Sequence, residues 1–306
     1  MFKYVMDKLI QSLATLFIVM IAIFLITRFT GSPEDIYIPM DVTDDVRETY
    51  MANMGLDKPL PLQFLYFVKE AVHGNLGISY ATRKPVMDSI TTRFPNTVRL
   101  ALSIMFVTTV LGFTFGILST LLRKTIWNKF FLSFFALCHS IPGFFVLMLA
   151  IDIFGVRLRI LPIAGNSGFA SYILPSVTMG LLFSTNIALV LRNSMVEILD
   201  SEYIKLVKLK GMKEPNVILK HVLKNASIPV IGMLSMMLAM QLTGTMITET
   251  MFAWPGIGLL TYQSVMNRDY AMVQGLVVVM TLIVIVVNFL ADILYAAIDP
   301  RIRGQV

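Results

Sequence analysis

Charged side chains are scarce in this sequence: only 14% of its 306 residues are Asp, Glu, Lys or Arg, whereas 56% are hydrophobic. Soluble globular domains carry about 25% charged residues, so the composition excludes an ordinary soluble protein. The mean hydropathy is +0.75. The net charge of +6 would suggest nucleic acid in a soluble protein. Here the cations cluster in short loops beside apolar runs, so membrane topology explains them and no nucleic acid is expected as a partner.

Residues that bind metals or form disulfides are also few. Cys138 is the single cysteine, so no internal disulfide can form. His73, His139 and His221 are far apart and show no metal-ligand spacing. The 21 methionines are scattered through apolar runs, a distribution typical of core packing rather than of a metal relay. The sequence therefore predicts no bound metal.

Motifs of nucleotide binding and hydrolysis are missing as well. The sequence contains no G-x-x-x-x-G-K-[ST], the loop that cradles nucleotide phosphates. It contains neither G-x-S-x-G nor H-E-x-x-H, two motifs of hydrolytic enzymes. We expect no catalytic residue and no cofactor of its own. Such a membrane protein is either a passive or ion-coupled carrier or one subunit of a driven assembly.

Long apolar runs are what the sequence does contain. Each approaches or exceeds the roughly 20 residues that a helix needs to cross about 30 Å of hydrocarbon. The first run resembles a signal peptide, but no small-x-small cleavage site follows it. We predict an all-α membrane protein with six transmembrane helices, near Leu9–Ile26, Leu100–Leu122, Phe130–Phe154, Tyr172–Leu191, Ile228–Thr248 and Ala271–Ile298.

The distribution of cations orients these helices, because short loops rich in Lys and Arg stay in the cytoplasm. With both termini in the cytoplasm, the two short outer loops carry only Arg157, Arg159 and Arg268. The inner segments then carry the remaining loop cations near the spans: Lys3, Lys8, Arg123, Lys124, Lys129, Arg192, Lys205, Lys208, Lys210, Lys213, Lys220, Lys224, Arg301 and Arg303. We therefore predict cytoplasmic N and C termini.

Three parts follow from this topology. Residues 1–29 form the N-terminal cytoplasmic end and the first transmembrane helix. Residues 30–96, rich in acids and prolines, form an external and partly helical cap, with helical patterns at Asp44–Asn53 and Pro61–Val72. Residues 97–306 form a five-helix core. Glu249 is expected near an outer helix end, close to water.

A polar segment, residues 192–229, separates the fourth and fifth apolar runs. Ile204, Val207 and Leu209 are predicted to share one face of a short helix that Gly211 ends. A second amphipathic pattern follows Pro215, with its apolar positions at Val217, Ile218, Val222 and Leu223. Two short helices bent at a glycine, held in the cytoplasm by seven cations, indicate a docking site for another protein.

The segment resembles the cytoplasmic coupling loop of inner-membrane permeases of binding-protein-dependent ABC importers. It is most similar to the dipeptide, oligopeptide and nickel branch, with the pattern E-Y-x-R-x-A-R-A-K-G and then H-x-L-R-N-A and a proline. Lys205 and Lys208 stand where arginine is usual, and Leu206, Val207 and Leu209 replace small residues. The matching residues are Glu202, Tyr203, Lys210, Gly211, His221, Leu223, Asn225, Ala226 and Pro229.

Three further stretches agree with the same branch, so the resemblance covers nearly the whole chain. They are GLDKPL (55–60) with HGNLGIS (73–79), FAWPGIG (252–258) with RDY (268–270), and NFLADILYAAIDPRIR (288–303). The resemblance implies a type I ABC importer permease fold in the bacterial cytoplasmic (inner) membrane. It also implies a second homologous permease, two ATPase subunits or domains that hold ATP and Mg, an external substrate-binding protein, and surrounding lipid.

The resemblance assigns the docking of the ATPase to one set of side chains. A short helix ended by Gly211 can sit in a cleft of a partner, and glycine allows a bend where a Cβ would clash. In the alternative interpretation, the lysines of an interfacial loop contact anionic lipid. The candidate coupling residues are Glu202, Tyr203, Lys205, Lys208, Lys210, Gly211, His221 and Asn225.

Four polar residues within the spans are candidates either for the transport pathway or for hydrogen bonds between helices: Asn186, Gln241, Asn288 and Asp292. The second interpretation is favoured. The expected function is ATP-driven import of di- or oligopeptides, with nickel or a metal chelate as the alternative cargo. An ion-coupled secondary transporter would show an inverted repeat and ionisable residues at mid-membrane, and neither is evident.

Overall fold

The computed structural model describes residues 2–30, 57–243 and 245–298, with the side chains of 6–30, 57–243 and 245–291, and these residues form helices and connecting turns. Most helices are apolar and longer than the average helix of a soluble domain. In chain order they are α1 Phe2–Thr30, α2 Leu60–Val72, α3 Val86–Leu121, α4 Trp127–Ser140, α5 Gly143–Arg157, α6 Phe169–Asp200, α7 Glu202–Leu209, α8 Glu214–Leu242, α9 Met246–Met251, α10 Ile257–Met266 and α11 Tyr270–Ile298.

Five helices in the described part of the chain are long and apolar enough to cross a membrane, namely α1, α3, α6, α8 and α11. The third predicted span is not one straight helix, because α4 and α5 meet at an angle of 97°. Pro142 explains the break, since proline has no N–H and forces the preceding Ile141 into an extended conformation. The pair makes a sixth span if both helices cross together.

Other boundaries also differ from the sequence prediction. The fifth span ends at Leu242, and Thr248 lies in the separate short helix α9. Helix α3 begins at Val86 and runs through Pro95, so the end of the acidic, proline-rich segment is helical. The helix predicted at Pro61–Val72 is confirmed as α2. The pattern at Asp44–Asn53 lies outside the described residues, and the orientation of the termini stays a prediction.

The chain divides into two compact units. The first comprises Met1–Thr97 and Pro255–Val286. Its core joins the start of α3 to α10 and α11 through Leu76, Val86, Ile90, Ile257, Leu260, Met272 and Leu276.

Asp269 is the polar centre of this first unit and is only 2% exposed. Its carboxylate accepts hydrogen bonds from Ser79 Oγ, at 2.5 Å, and from the backbone N–H groups of Tyr80, Ala81 and Met272. The motifs HGNLGIS and RDY, far apart in the sequence, therefore meet at one buried carboxylate.

The second unit comprises Val98–Trp254 and Val287–Val306. Its two apolar clusters lie around α6, one with α7 and α8 and the other with α3, α5 and the turn after α9. Glu249, expected close to water, is instead fully buried, and its backbone carbonyl accepts a hydrogen bond from the N–H of Trp254. The chain continues from α9 into the interior of this unit, where Phe252 and Trp254 are buried, so Glu249 lies inside the unit rather than at its surface.

Candidate functional site

The predicted docking segment, residues 192–229, folds as the end of α6, the short helix α7 and the start of α8. Ser201 adopts an extended conformation at the junction, with φ −71° and ψ 150°, so α7 leaves α6 at a sharp turn. Glu202 in the first turn of α7 and Lys208 in its last turn have the charges that complement the helix dipole. The exposed ion pair of Lys205 with Glu202, at 2.7 Å, adds little stability.

One face of α7 is buried against the transmembrane helices. Ile204 and Val207 are buried and join a cluster with Ile187, Leu191 and Met195 from α6. The start of α8 contributes further buried residues to the same cluster: Val217, Val222, Ala226 and Val230. The predicted amphipathic patterns are confirmed at these positions. A side-chain cluster shared by three helices fixes α7 to the end of α6 and the start of α8. Because the cluster is closely packed, a displacement of α7 would be transmitted to α6 and α8.

The opposite face of α7 carries exposed apolar residues. Tyr203, Leu206 and Leu209 are 49%, 60% and 83% exposed. Their spacing of three residues places them along one side of the helix. The prediction that Leu209 shares the buried face with Ile204 is wrong. Leu209 follows Ile204 by five residues, which places the two side chains about 140° apart around the helix axis. The helix therefore presents an apolar stripe, Tyr203–Leu206–Leu209, flanked by the exposed cations Lys205, Lys208 and Lys210.

Two of the predicted coupling residues join α7 to α8 directly. Tyr203 Oη and His221 Nδ1 are 2.6 Å apart, and the two rings pack edge to face at 5.8 Å. Asn225 Nδ2 donates to the carbonyl oxygen of His221 at 2.7 Å and so supports that turn. The structure thus brings Tyr203, His221 and Asn225 together, whereas the three lysines extend outward.

Gly211 follows α7 with φ +80°, in the left-handed region that side chains with a Cβ rarely adopt. Its N–H donates to the carbonyl oxygen of Lys208, which closes the last turn. A Cβ added at Gly211 would meet nothing within 4 Å. The expected clash is therefore wrong, and the backbone conformation alone explains the glycine.

The base of the segment has polar contacts that the sequence did not predict. Arg123, in the α3–α4 loop, pairs with Asp200 at 3.1 Å. Arg192 donates to Asn128 Oδ1 at 3.0 Å. For Arg123 and Asp200 the only signal was opposite charge in two neighbouring polar segments, and the sequence does not say which of many such pairs form.

The polar residues within the spans have different surroundings. Asn186 Oδ1 lies 2.7 Å from His139 Nε2, so this pair links α6 to the end of α4. Gln241 is buried, with Nε2 lacking a hydrogen-bond partner among the described residues. Asn288 lies on an exposed face of α11, and the side chain of Asp292 lies outside the described set. Within the described part of the chain no three His, Cys, Asp or Glu residues cluster as a metal site.

Two family models match this chain. The model described as "Binding-protein-dependent transport system inner membrane component" matches residues 112–304. The model for the N-terminal part of the same membrane components matches residues 1–101. Together they cover the segments that hold both compact units.

Relatives of similar length and a solved structure agree with these models. The chain is 36% identical over 304 residues to the glutathione transport system permease protein GsiC of Escherichia coli (strain CFT073), covering 99% of both chains. It is 35% identical to the GsiC protein of Shigella dysenteriae serotype 1 over the same coverage. Inward-facing MetNI methionine ABC transporter has a chain with 18% identity and a TM-score of 0.59, covering 70% of this chain and 97% of that one. At this identity the likeness shows the fold alone.

Proposed function

This chain belongs to the family of binding-protein-dependent transport system inner membrane components, and from that premise we propose that its cargo is a di- or oligopeptide. The chain is a permease subunit of an ABC importer in the inner membrane, and it forms the pore rather than catalysing a reaction. Partner ATPases hydrolyse ATP, and a substrate-binding protein delivers the cargo. The observation that carries the peptide proposal is the 36% identity, over 99% of both chains, to a permease named for glutathione, because glutathione is a peptide.

The apolar stripe Tyr203–Leu206–Leu209 is the surface that best fits an ATPase subunit. The stripe is exposed although this helix is fixed by a buried face on its other side. An apolar centre flanked by cations is the composition of a protein interface with a polar rim. If the ATPase docks on this stripe, its movement would displace α7, and the buried cluster around Ile204 would transmit that displacement to α6 and α8.

The assembly proposed here contains this chain, a second homologous permease, two ATPase subunits or domains, and the external binding protein. Both termini of the chain and segment 192–229 face the cytoplasm, and residues 30–96 face the binding protein. The distribution of cations supports this orientation. The test introduces Thr43→Cys together with Cys138→Ser and treats sealed cells with a thiol reagent that does not cross the membrane. We expect position 43 to be labelled from outside, and labelling only from the cytoplasmic face would contradict the orientation.

The cargo is tested with the reconstituted importer and its binding protein in liposomes. We expect ATP-dependent uptake of radiolabelled glutathione or trialanine, and ATPase activity that the loaded binding protein stimulates. Uptake of nickel ions, free or chelated, with no peptide uptake would contradict the peptide assignment. Uptake driven by an ion gradient without ATP would instead support a secondary transporter.

Gly211→Val is expected to impair coupling without preventing insertion into the membrane. A β-branched residue at φ +80° strains the turn by about 1–2 kcal/mol or more. We expect lower co-purification of the ATPase and uptake reduced about tenfold, at a normal level of the permease in the membrane. Gly211→Ala should be milder.

Gly211→Asn is the control that separates strain from bulk. Asparagine is larger than alanine, yet it tolerates the left-handed region better. Because the surrounding space is open, Gly211→Asn should retain more uptake than Gly211→Val. Normal uptake by Gly211→Val would show that coupling does not need this turn.

A further inference from the structure

An open cavity of about 440 Å³ lies between α6, the end of α8 and α9, and its lining residues Met240 and Ile247 are 69% and 59% exposed. Thioether and aromatic side chains form most of its wall, with Met179 and Phe183 from α6 and Met237, Met240 and Met246 from the other two helices. Its volume falls within the range of about 300–1,000 Å³ that is usual for small-ligand sites. All of these residues belong to the second compact unit. The cavity is therefore large enough to hold part of a small peptide.

Gln241, Thr245 and Thr248 are the polar residues that line this cavity, and of these Gln241 has a buried donor without a partner within the described residues. Gln241 is 4% exposed, and the donor is its amide Nε2. A buried donor left without an acceptor destabilises a protein. A bound ligand that supplies a hydrogen-bond acceptor to Gln241 Nε2 would remove this cost.

The lining specifies the chemistry of that ligand. The amide Nε2 donates a hydrogen bond, so it selects a carbonyl or carboxylate oxygen. Methionine side chains adapt to different shapes, which suits apolar groups of varied size. None of the described residues that line the cavity is Asp, Glu, His, Cys, Lys or Arg, so a Ni²⁺ ion would find no carboxylate, thiolate or imidazole ligand here. A lipid acyl chain would offer Gln241 no acceptor.

We propose that this cavity is a transient binding subsite for the transported peptide, an inference that rests on the peptide import proposed above. Gln241 Nε2 donates to a main-chain carbonyl oxygen of the peptide, and the methionines hold the adjacent side chain. A contact of this kind recognises a feature common to all peptides while tolerating different side chains. The subsite would retain cargo in the permease after the binding protein has released it.

The test replaces Gln241 with methionine, which has a similar length and no hydrogen-bond donor. The reconstituted importer is assayed with glutathione and trialanine for uptake, ATP hydrolysis and thermal stability. Because Nε2 lacks a partner in the described structure, Gln241→Met should leave stability unchanged or raise it. Uptake per ATP hydrolysed should fall about two- to tenfold, the loss expected for one neutral hydrogen bond. ATPase stimulation by the loaded binding protein should stay unchanged, since the α7 surface is intact.

Gln274→Met is the matched control. Gln274 also has a buried Nε2 without a partner in the described part of the chain, but it lies in α11 and does not line this cavity. Its replacement should leave the ratio of uptake to ATP hydrolysis unchanged. An equal loss in both variants would overturn the assignment.

Three other outcomes separate the possible failures. Unchanged uptake by Gln241→Met would overturn the subsite while leaving peptide import intact. Lower stability, or dissociation of the two permeases on size-exclusion chromatography, would show that the cavity holds part of the second permease instead. Absence of glutathione and trialanine uptake by the wild-type importer would overturn the proposed function itself.

Discussion

Leu206→Glu is expected to abolish ATP-driven uptake while the permease remains in the membrane at its normal level. Leu206 is 60% exposed and lies at the centre of the stripe Tyr203–Leu206–Leu209. In the permease without bound ATPase, a carboxylate at position 206 is solvated by water, so we expect the permease to fold normally. In the docked assembly the same carboxylate would lose its water in the apolar centre of the interface, at a cost of about 3 kcal/mol or more. That cost corresponds to a loss of affinity for the ATPase of about 100-fold or more.

The measurements are ATPase co-purification and peptide uptake at matched permease levels. Ile126→Glu is the control, because Ile126 is 80% exposed and lies in the α3–α4 loop, outside segment 192–229. The two variants carry the same new charge on an exposed aliphatic position. If Ile126→Glu eliminates ATPase binding and Leu206→Glu does not, the docking surface is the α3–α4 loop.

The double variant Gly112→Ala with Gly116→Ala is expected to lower the stability of the permease strongly. These glycines lie four residues apart in α3, and they let that helix approach α6 closely. Added Cβ atoms would lie 2.6 Å from Ile187 Cγ2 and 2.9 Å from Leu191 Cδ2, closer than real Cβ contacts. Overpacking costs about 1–3 kcal/mol at each site. The sum, roughly 2–6 kcal/mol, is a large share of the 5–15 kcal/mol that stabilises a typical protein.

The check is the membrane level and the thermal stability of the detergent-solubilised permease. Gly143→Ala is the control, since its added Cβ would meet only Leu182 Cδ1 at 3.7 Å and Met179 Cε at 3.9 Å. It should behave like the wild type. Equal stability of the double variant and the control would mean that α3 and α6 do not pack as closely as described.

Local patterns predicted much of this fold because the physics behind them is local. Apolar runs of sufficient length form helices in lipid, where the backbone must satisfy its own hydrogen bonds. Ile204 and Val207 are three residues apart, so a helix places them on one face. The left-handed Gly211 follows from a glycine directly after an amphipathic run.

Features that depend on distant partners could not be predicted in this way. Asp269 is buried because Ser79 and the neighbouring N–H groups, about 190 positions away, supply its hydrogen bonds. The only signal in the sequence for the 97° angle between α4 and α5 is Pro142 within a long apolar run, and a proline alone does not give the angle. The cavity beside Gln241 requires α6, α8 and α9 to be packed together, which no single segment encodes.

Site-specific cross-linking tests the central claim most directly, namely that the exposed face of α7 docks the ATPase. Cys138 is the only cysteine of the chain, so Cys138→Ser provides a background without thiols. Leu206→Cys and Ile126→Cys are then introduced singly, and the assembled importer is treated with a short thiol-to-amine cross-linker. We expect a cross-link to the ATPase from position 206 and none from position 126. A cross-link from position 126 alone, or from neither position in a transporting importer, would contradict the claim.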